Sequence, residues 1–199
     1  MATEPSACLI RHGETEFSLA RRYNGIIDAP LTPQGEIVAA RLRRVLSDTN
    51  WGLVLCSPLQ RARRTAELAG FPNPEIHGEL RECAYGDIEG LTTEEIALRF
   101  PDWDFWRDGA PGGENAEAVA TRLIPVIERL RRHRGRALVF SHSHTIRILA
   151  ARWLDLRPDQ AAIFALEPAR ISEVGTHRGR PILVCWNDST SESATEEDS

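Results

Sequence analysis

Lysine is absent from this chain of 199 residues, and all 24 of its basic residues are arginines. The arginines are dispersed over many predicted helices and form no basic stripe, so we expect no nucleic-acid partner. The formal net charge of −5 comes from the end of the sequence, because residues 187–199 contain five acids and no base. The rest of the chain is balanced, and the charge therefore points to no particular class of partner.

Long apolar runs are also absent, and no stretch approaches the roughly 18 apolar residues that could cross a membrane. The first six residues do not combine a basic segment with an apolar one, so we expect no secretory signal. The cysteines form no CxxC pair, and Cys8, Cys56 and Cys185 lie within apolar runs. We therefore expect reduced, buried thiols in a cytoplasmic protein that has no membrane partner.

The length and a hydrophobic content of 42% fit one domain with a sizeable core. We assign residues 1–186 to this domain, in which we find no repeat and no internal linker. Residues 187–199 are rich in Ser, Thr and Glu and have almost nothing to bury. They are predicted to form a disordered acidic tail.

Short apolar runs at 7–11, 52–56 and 137–141 predict three buried strands, and a helical pattern follows each of them along the chain. This alternation predicts an α/β fold with three layers, α/β/α, in which helices cover both faces of a mostly parallel mixed sheet. Two later runs, at 169–174 and 181–186, suit an antiparallel edge.

Several residues mark where the predicted helices begin. Thr32-Pro33 opens a helix that runs to about Ser47, and Thr92–Glu95 has the pattern of a capping box. Ser57-Pro58 predicts another helix, which stops at Gly70 and has the serine as its N-cap. The longest predicted helix, over 115–134, contains Pro125, which predicts a kink or a break.

Charged and polar side chains follow the three predicted central strands. His12 ends the first strand, Ser57 ends the second with Arg61 one helical turn later, and His142 ends the third. The carboxyl ends of parallel strands lie at one edge of a sheet, where α/β proteins bind their ligands. Histidine can attack phosphorus, the guanidinium groups of Arg11 and Arg61 can hold phosphate oxygens, and helix N-termini attract anions. The pattern predicts a phosphate site with a nucleophile.

Four segments in the same order resemble the motifs of the histidine phosphatase superfamily, which includes the cofactor-dependent phosphoglycerate mutases. They are Arg11-His12-Gly13-Glu14-Thr15, the Ser-Pro-x-x-Arg-Ala-x-x-Thr-Ala pattern over 57–66, Leu80-Arg81-Glu82 with 85–90, and Val139–His142 followed by Ile146-Arg147. The resemblance covers the whole chain apart from the acidic tail, and it implies a phosphoglycerate mutase-like fold.

The resemblance also implies a role for each core residue. His12 accepts the phosphoryl group as a phosphohistidine, while Arg11, Arg61 and His142 bind that group. Glu82 gives a proton to the leaving group and then acts as a base toward water. Guanidinium and imidazolium groups supply the positive charge, so no metal or other cofactor is required.

Further substrate contacts are implied around this core, and alternatives remain open for some of them. Besides Arg11, Arg61 and Glu82, the candidate substrate-binding residues are Thr15, Ser18, Tyr23, Asn24, Gly25, Tyr85, His144 and Arg147. Glu79 and Glu89 compete with Glu82 for the role of acid, and Tyr23 also fits an ordinary exposed aromatic. His142 and His144 have the spacing of a metal pair but lack a third ligand nearby. Trp103, Phe105 and Trp106 fit packing better than ligand stacking.

Features between the third and fourth motifs distinguish the members of the family. The mutases carry a long insertion with a basic cluster there, whereas only 60 positions separate Glu82 from His142 and Arg107 is the only base between Arg99 and Arg122. The Trp103–Gly109 segment, Gly112–Asn115 and His144 resemble broad acid phosphatases and sedoheptulose-bisphosphatase-like enzymes. The chain departs from that branch at Cys83-Ala84, where an aromatic residue usually follows the acid.

We therefore expect a metal-independent phosphatase that hydrolyses phosphate monoesters of small metabolites, such as sugar phosphates, through a phosphohistidine on His12. A phosphoglycerate mutase and a catalytically silent binding module of the same fold are the alternatives. The expected partner is a small phosphorylated metabolite. The natural substrate is left open, and so is assembly into a homo-oligomer.

Overall fold

The computed structural model describes residues 4–189, and a six-stranded sheet lies at the centre of this part of the chain. The order of the strands across the sheet is β3-β2-β4-β1-β5-β6. The first four are parallel, and β5 and β6 continue the sheet in antiparallel pairing. The strands are β1 (Ser6–Arg11), β2 (Leu53–Cys56), β3 (Glu75–Ile76), β4 (Arg136–Ser141), β5 (Ile171–His177) and β6 (Arg180–Asp188).

Helices cover both faces of this sheet and confirm the predicted three-layer α/β/α fold. Strand residues alternate between the two faces, so Ala7 and Leu9 pack with α6 and α7, whereas Cys8 and Ile10 pack with α2 and α3. The helices are α1 (Glu16–Leu19), α2 (Pro33–Leu46), α3 (Gln60–Leu68), α4 (Thr93–Arg99), α5 (Phe105–Asp108), α6 (Ala116–Arg132) and α7 (Ser143–Trp153).

The ends of the helices confirm some predictions and correct others. The Thr32 side chain caps α2 by accepting a hydrogen bond from the Gly35 N–H, and Thr92 and Glu95 form the predicted capping box of α4. The predicted N-cap of α3 is wrong, because this helix begins at Gln60 and its N-cap is Leu59. The Ser57 hydroxyl instead lies 2.7 Å from His142 Nε2.

Three further expectations can be compared with the structure. Pro125 lies inside α6 and does not break it, since the helix continues to Arg132, and a kink at Pro125 stays a prediction. Cys185 is half-buried on the edge strand, whereas Cys8, Cys56 and Cys83 are buried; all four cysteines are free thiols. Strand β6 extends to Asp188, so the first two residues assigned to the acidic tail belong to the sheet. The rest of that predicted tail, from residue 190, lies outside the described residues.

Within residues 4–189, no helix is long and apolar enough to cross a membrane.

Trp153, which anchors the end of α7, provides a test of this packing. Its indole is 1% exposed, and its Nε1–H donates to the Gly175 carbonyl at 2.8 Å. We expect Trp153→Phe to lower the free energy of unfolding by about 2–3 kcal/mol, because it leaves a void and a buried carbonyl without its donor. Urea titration measures this value.

Trp51 is the matched control, since its Nε1–H donates to the Leu46 carbonyl at the same 2.8 Å but the residue is only half-buried. We expect Trp51→Phe to lower the free energy of unfolding by about 1 kcal/mol or less. Equal losses in the two variants would contradict the assignment of Trp153 to the core.

Candidate active site

The three strand ends meet as the sequence predicts. Arg11 of β1 pairs with Ser141 of β4, and Cys56 of β2 pairs with Phe140, so these parallel strands end side by side. Backbone hydrogen bonds continue one residue further, from the His12 N–H to the Ser141 carbonyl at 2.9 Å and from the Ser57 N–H to the Phe140 carbonyl at 3.0 Å. The residues that follow the three strands therefore share one edge of the sheet.

His12 is held with one ring nitrogen free. Its Nδ1 lies 2.7 Å from the Gly13 carbonyl, which only accepts hydrogen bonds, so Nδ1 carries the hydrogen and Nε2 keeps its lone pair. Burial and the nearby charges of Arg61 and Arg11 hold the pKa of His12 well below its ordinary value. The ring is 6% exposed and lines a cleft, so a neutral imidazole with a free Nε2 faces the space where a ligand would bind.

His142, in contrast, has both ring nitrogens engaged. Nδ1 accepts from Arg61 Nε at 3.2 Å, which leaves the hydrogen on Nε2 to be donated to Ser57 Oγ at 2.7 Å. Its ring centroid is 5.1 Å from that of His12, and the residue is fully buried. Burial, with Arg61 and His12 nearby, lowers the pKa of His142 well below its ordinary value. Of the two histidines, only His12 is arranged as a nucleophile.

The two predicted arginines are used differently. Arg61 is 0% exposed, and its guanidinium donates to the carbonyls of Ile27, Asn24 and Gly25 at 2.9, 3.2 and 2.9 Å. It organises the 24–27 loop from behind the cleft. Arg11 lines the cleft and donates to the Leu166 carbonyl through Nη1, while its Nη2 makes no hydrogen bond to another described residue. Arg11 is therefore the arginine with a donor left over for an anion.

Glu82 lies against the first turn of α7. Its carboxylate accepts from the backbone N–H groups of Cys83, His144 and Thr145 at 3.0, 3.2 and 3.1 Å, and from the Thr145 hydroxyl at 3.1 Å. It is 4% exposed and lines the cleft.

The competing carboxylates are occupied elsewhere. Glu89 accepts from the Gly25 N–H at 2.7 Å, and Glu79 lies 3.6 Å from His77 Nδ1 at the surface. Neither residue lines the cleft.

The cleft has a volume of about 540 Å³, part of which is open to solvent. Thr15 and Ser18 form the capping box of α1 on one of its walls. Sequence reasoning did not identify Arg21, Arg22 or Ser143, which also line it; the only available signal was their position beside Tyr23 and between two histidines. The predicted site residues that line it are Arg11, His12, Thr15, Ser18, Tyr23, Asn24, Glu82, Tyr85 and His144.

Four predicted site residues lie outside the lining: Gly25, Arg61, His142 and Arg147. A Cβ on Gly25 would lie 2.0 Å from the Cys83 carbonyl, so glycine is needed there for a close approach of two backbones. The Arg147 guanidinium lies 4.3 Å from the ring centroid of Trp106 and donates to the carbonyls of Ala161 and Ala162. A contact between Arg147 and substrate stays a prediction.

Among residues 4–189, no three His, Cys, Asp or Glu side chains are grouped closely enough to hold a metal ion.

Buried neutral histidines make the stability of the protein depend on pH. The pKa values of His12, His142 and His144 are held well below the ordinary value, above all by burial. The unfolded chain binds these protons at about pH 6.5 and the folded one does not, so stability falls as pH drops below about 6.5. The free energy of unfolding should fall between about pH 7.5 and about pH 5.5. We expect this fall to be about 1.4 kcal/mol smaller in His144→Gln than in the wild type. Urea titration at both pH values checks this, and His177→Gln, at an exposed position, is the control; equal losses in all three proteins would contradict the expectation.

Known proteins share this fold and these motifs. The sequence profile of the histidine phosphatase superfamily (branch 1) matches residues 7–189. The chain is 35% identical over 175 residues to an acid phosphatase of Mycobacterium tuberculosis, covering 86% of each chain. It is also 35% identical over 185 residues to the sedoheptulose 1,7-bisphosphatase of Saccharomyces cerevisiae, covering 76% of this chain and 68% of that one.

Solved structures agree with these sequence matches. The product of a Mycobacterium tuberculosis open reading frame superimposes with a TM-score of 0.87 at 32% identity, covering 94% of this chain and 98% of that one. A mycobacterial glucosyl-3-phosphoglycerate phosphatase in complex with VO3 superimposes with a TM-score of 0.82 at 27% identity, covering 93% of this chain and 100% of that one. With its motifs, its fold and nearly its whole described length matched, the chain belongs to branch 1 of the histidine phosphatase superfamily.

Proposed function

We propose that this protein is a metal-independent phosphatase that hydrolyses phosphate monoesters of small metabolites through a phosphohistidine on His12. The observation that carries the proposal is the difference between the two buried histidines. His12 donates from Nδ1 to a carbonyl and turns a free Nε2 to the cleft, whereas both nitrogens of His142 are hydrogen-bonded. A nucleophile needs that free lone pair.

In the first step, His12 Nε2 attacks phosphorus and the bond from phosphorus to the ester oxygen breaks. The departing oxygen takes a proton from the Glu82 carboxyl. Negative charge spreads over the phosphoryl oxygens, which the guanidinium of Arg11 can bind through Nη2 from the wall of the cleft. The guanidinium of Arg61 adds its positive charge from behind the cleft. Its orientation is fixed by the hydrogen bond that its Nε–H donates to His142 Nδ1.

In the second step, water attacks the phosphohistidine. Glu82 takes a proton from this water, the bond from phosphorus to Nε2 breaks, and inorganic phosphate leaves with His12 neutral again. Because Glu82 gives a proton in the first step and accepts one in the second, each turnover restores the starting state.

Two features favour hydrolysis over phosphoryl transfer between substrate positions. The basic cluster that holds the acid group in the mutases is absent between Glu82 and His142. The acid phosphatase and the bisphosphatase named above support hydrolysis of small phosphate esters, with sugar phosphates as the proposed class. A cytoplasmic location stays a prediction.

The first test is covalent labelling of the nucleophile. Rapid quench with a phosphate-labelled aryl ester in excess chelator should trap an acid-labile, base-stable phosphoenzyme in the wild type. His12→Ala should form none, and its turnover should fall by at least about 10³-fold. The exposed His177→Ala is the control and should label normally. Labelling that survives in His12→Ala would show that another residue is the nucleophile, and wild-type turnover that depends on added Mg²⁺ or Zn²⁺ would refute the metal-free mechanism.

The second test separates the acid role of Glu82 from a purely structural one. A sugar alkoxide leaves poorly without a proton, whereas a nitrophenolate leaves largely unassisted. We expect Glu82→Gln to lower kcat/KM for a sugar phosphate by about 10²–10⁴-fold and to affect an aryl phosphate far less. Steady-state kinetics on both esters measures this ratio, and Glu79→Gln, at a surface carboxylate outside the cleft, is the matched control. If Glu82→Gln lowers kcat/KM by the same factor for both esters, Glu82 is not the acid.

A further inference from the structure

Tyr85 and His144 form a hydrogen-bonded pair in the wall of the cleft. Tyr85 Oη lies 2.6 Å from His144 Nδ1, and Tyr85 is 2% exposed. Burial and the nearby Glu82 carboxylate raise the pKa of Tyr85 well above its ordinary value, so the hydroxyl keeps its proton and donates it. An imidazole that accepts at Nδ1 carries its hydrogen on Nε2, which fixes the tautomer of His144.

Aromatic neighbours hold the His144 ring in this orientation. Trp106 stacks on it with ring centroids 5.0 Å apart and planes inclined by 24°, and the edge contact with Phe105 brings their centroids to 4.4 Å. The Arg147 guanidinium lies 4.3 Å from the centroid of the Trp106 ring. Burial and the charges of Arg147 and Arg11 lower the pKa of His144 well below its ordinary value. The ring is thus a fixed, neutral donor.

The Nε2–H of this donor is free for a ligand. Within residues 4–189 it makes no hydrogen bond to a protein group. The nitrogen is not fully buried, so it keeps access to the cleft that His144 lines. The backbone N–H of His144 donates to Glu82 Oε2 at 3.2 Å. His144 and the carboxylate to which we assign proton transfer to the leaving group therefore line the same cleft as neighbours.

We propose that His144 Nε2–H donates a hydrogen bond to a hydroxyl oxygen on the leaving group, with Tyr85 as the positioning residue that fixes its tautomer. The enzyme then selects phosphate esters of polyols and sugars over phosphate esters of plain alcohols. This inference rests on the phosphatase activity proposed above and assigns recognition of the leaving group's hydroxyl groups to one donor. A neutral N–H donor suits the uncharged oxygen of a hydroxyl group.

Two esters that differ only in hydroxyl groups give the test. Glycerol 1-phosphate and propyl phosphate have the same carbon chain, and each releases an alkoxide. We expect the wild type to favour glycerol 1-phosphate by about tenfold or more in kcat/KM, the contribution of about one hydrogen bond. A ratio near one in an enzyme that hydrolyses both esters would overturn this inference and leave the phosphatase proposal standing. A wild type that hydrolyses neither these esters nor an aryl phosphate would overturn both.

Matched variants separate the donor from the packing of the ring. The amide nitrogen of Gln reaches the position of Nε2, whereas that of Asn reaches only the position of Nδ1. We expect His144→Asn to lower the ratio of the two kcat/KM values about tenfold and His144→Gln to keep it within about threefold of the wild type. Equal ratios in the Asn variant and the wild type would overturn the assignment, and so would an equal loss in the Asn and Gln variants.

Tyr85→Phe keeps the aromatic ring and removes only the hydroxyl that fixes the tautomer. Nitrogen NMR of ¹⁵N-histidine-labelled protein should show hydrogen on Nε2 of His144 in the wild type and a mixture of tautomers in the variant. In this variant the ratio of kcat/KM for glycerol 1-phosphate to that for propyl phosphate should also fall, by about threefold or more. A wild-type signal from hydrogen on Nδ1, or an unchanged preference in Tyr85→Phe, would overturn the role of the pair even if the His144 variants did not fold.

Discussion

The buried guanidinium of Arg61 joins parts of the site that no strand connects. It donates to three carbonyls of the 24–27 loop and to Nδ1 of His142, which lies 81 positions further along the chain. Burying an unpaired charge is costly, and these hydrogen bonds offset that cost. The same contact fixes the tautomer of His142, and the charge lowers the pKa of His12. Loop geometry, tautomer and a neutral nucleophile thus depend on one side chain.

The start of α7 connects the carboxylate to this centre. Backbone N–H groups at the start of a helix have no partner within it, and Glu82 accepts from two of them, those of His144 and Thr145. Because α7 follows directly on β4, the strand that delivers His142 to the site also fixes where the carboxylate is held. The sheet and α7 therefore help to place the carboxylate of Glu82 at the edge that also carries His12.

The sequence was sufficient for the parts of the structure that depend on local pattern. Apolar runs predicted three of the four parallel strands and the antiparallel edge, and the polar residues that follow the three strands predicted the common site. The two-residue strand β3 was missed, because Glu75-Ile76 is exposed and contains no apolar run. It was insufficient where a distant partner decides: Ser57 has the local pattern of an N-cap, but His142, 85 positions away, holds its hydroxyl. Packing between segments far apart in the chain determined this outcome, and no local pattern reports it.

The burial that makes the site reactive also limits the stability of the protein in acid. A histidine that attacks phosphorus must be neutral, and burial beside two arginines keeps His12 so even below the ordinary pKa of imidazole. Because the pKa of His12 is lowered in the folded protein, protonation favours the unfolded chain, in which the ring is free to bind a proton. His142 and His144 add to this effect because they share the burial. Raising the pKa of His12 by exposing it would therefore stabilise the fold in acid and remove the nucleophile from the form in which it reacts.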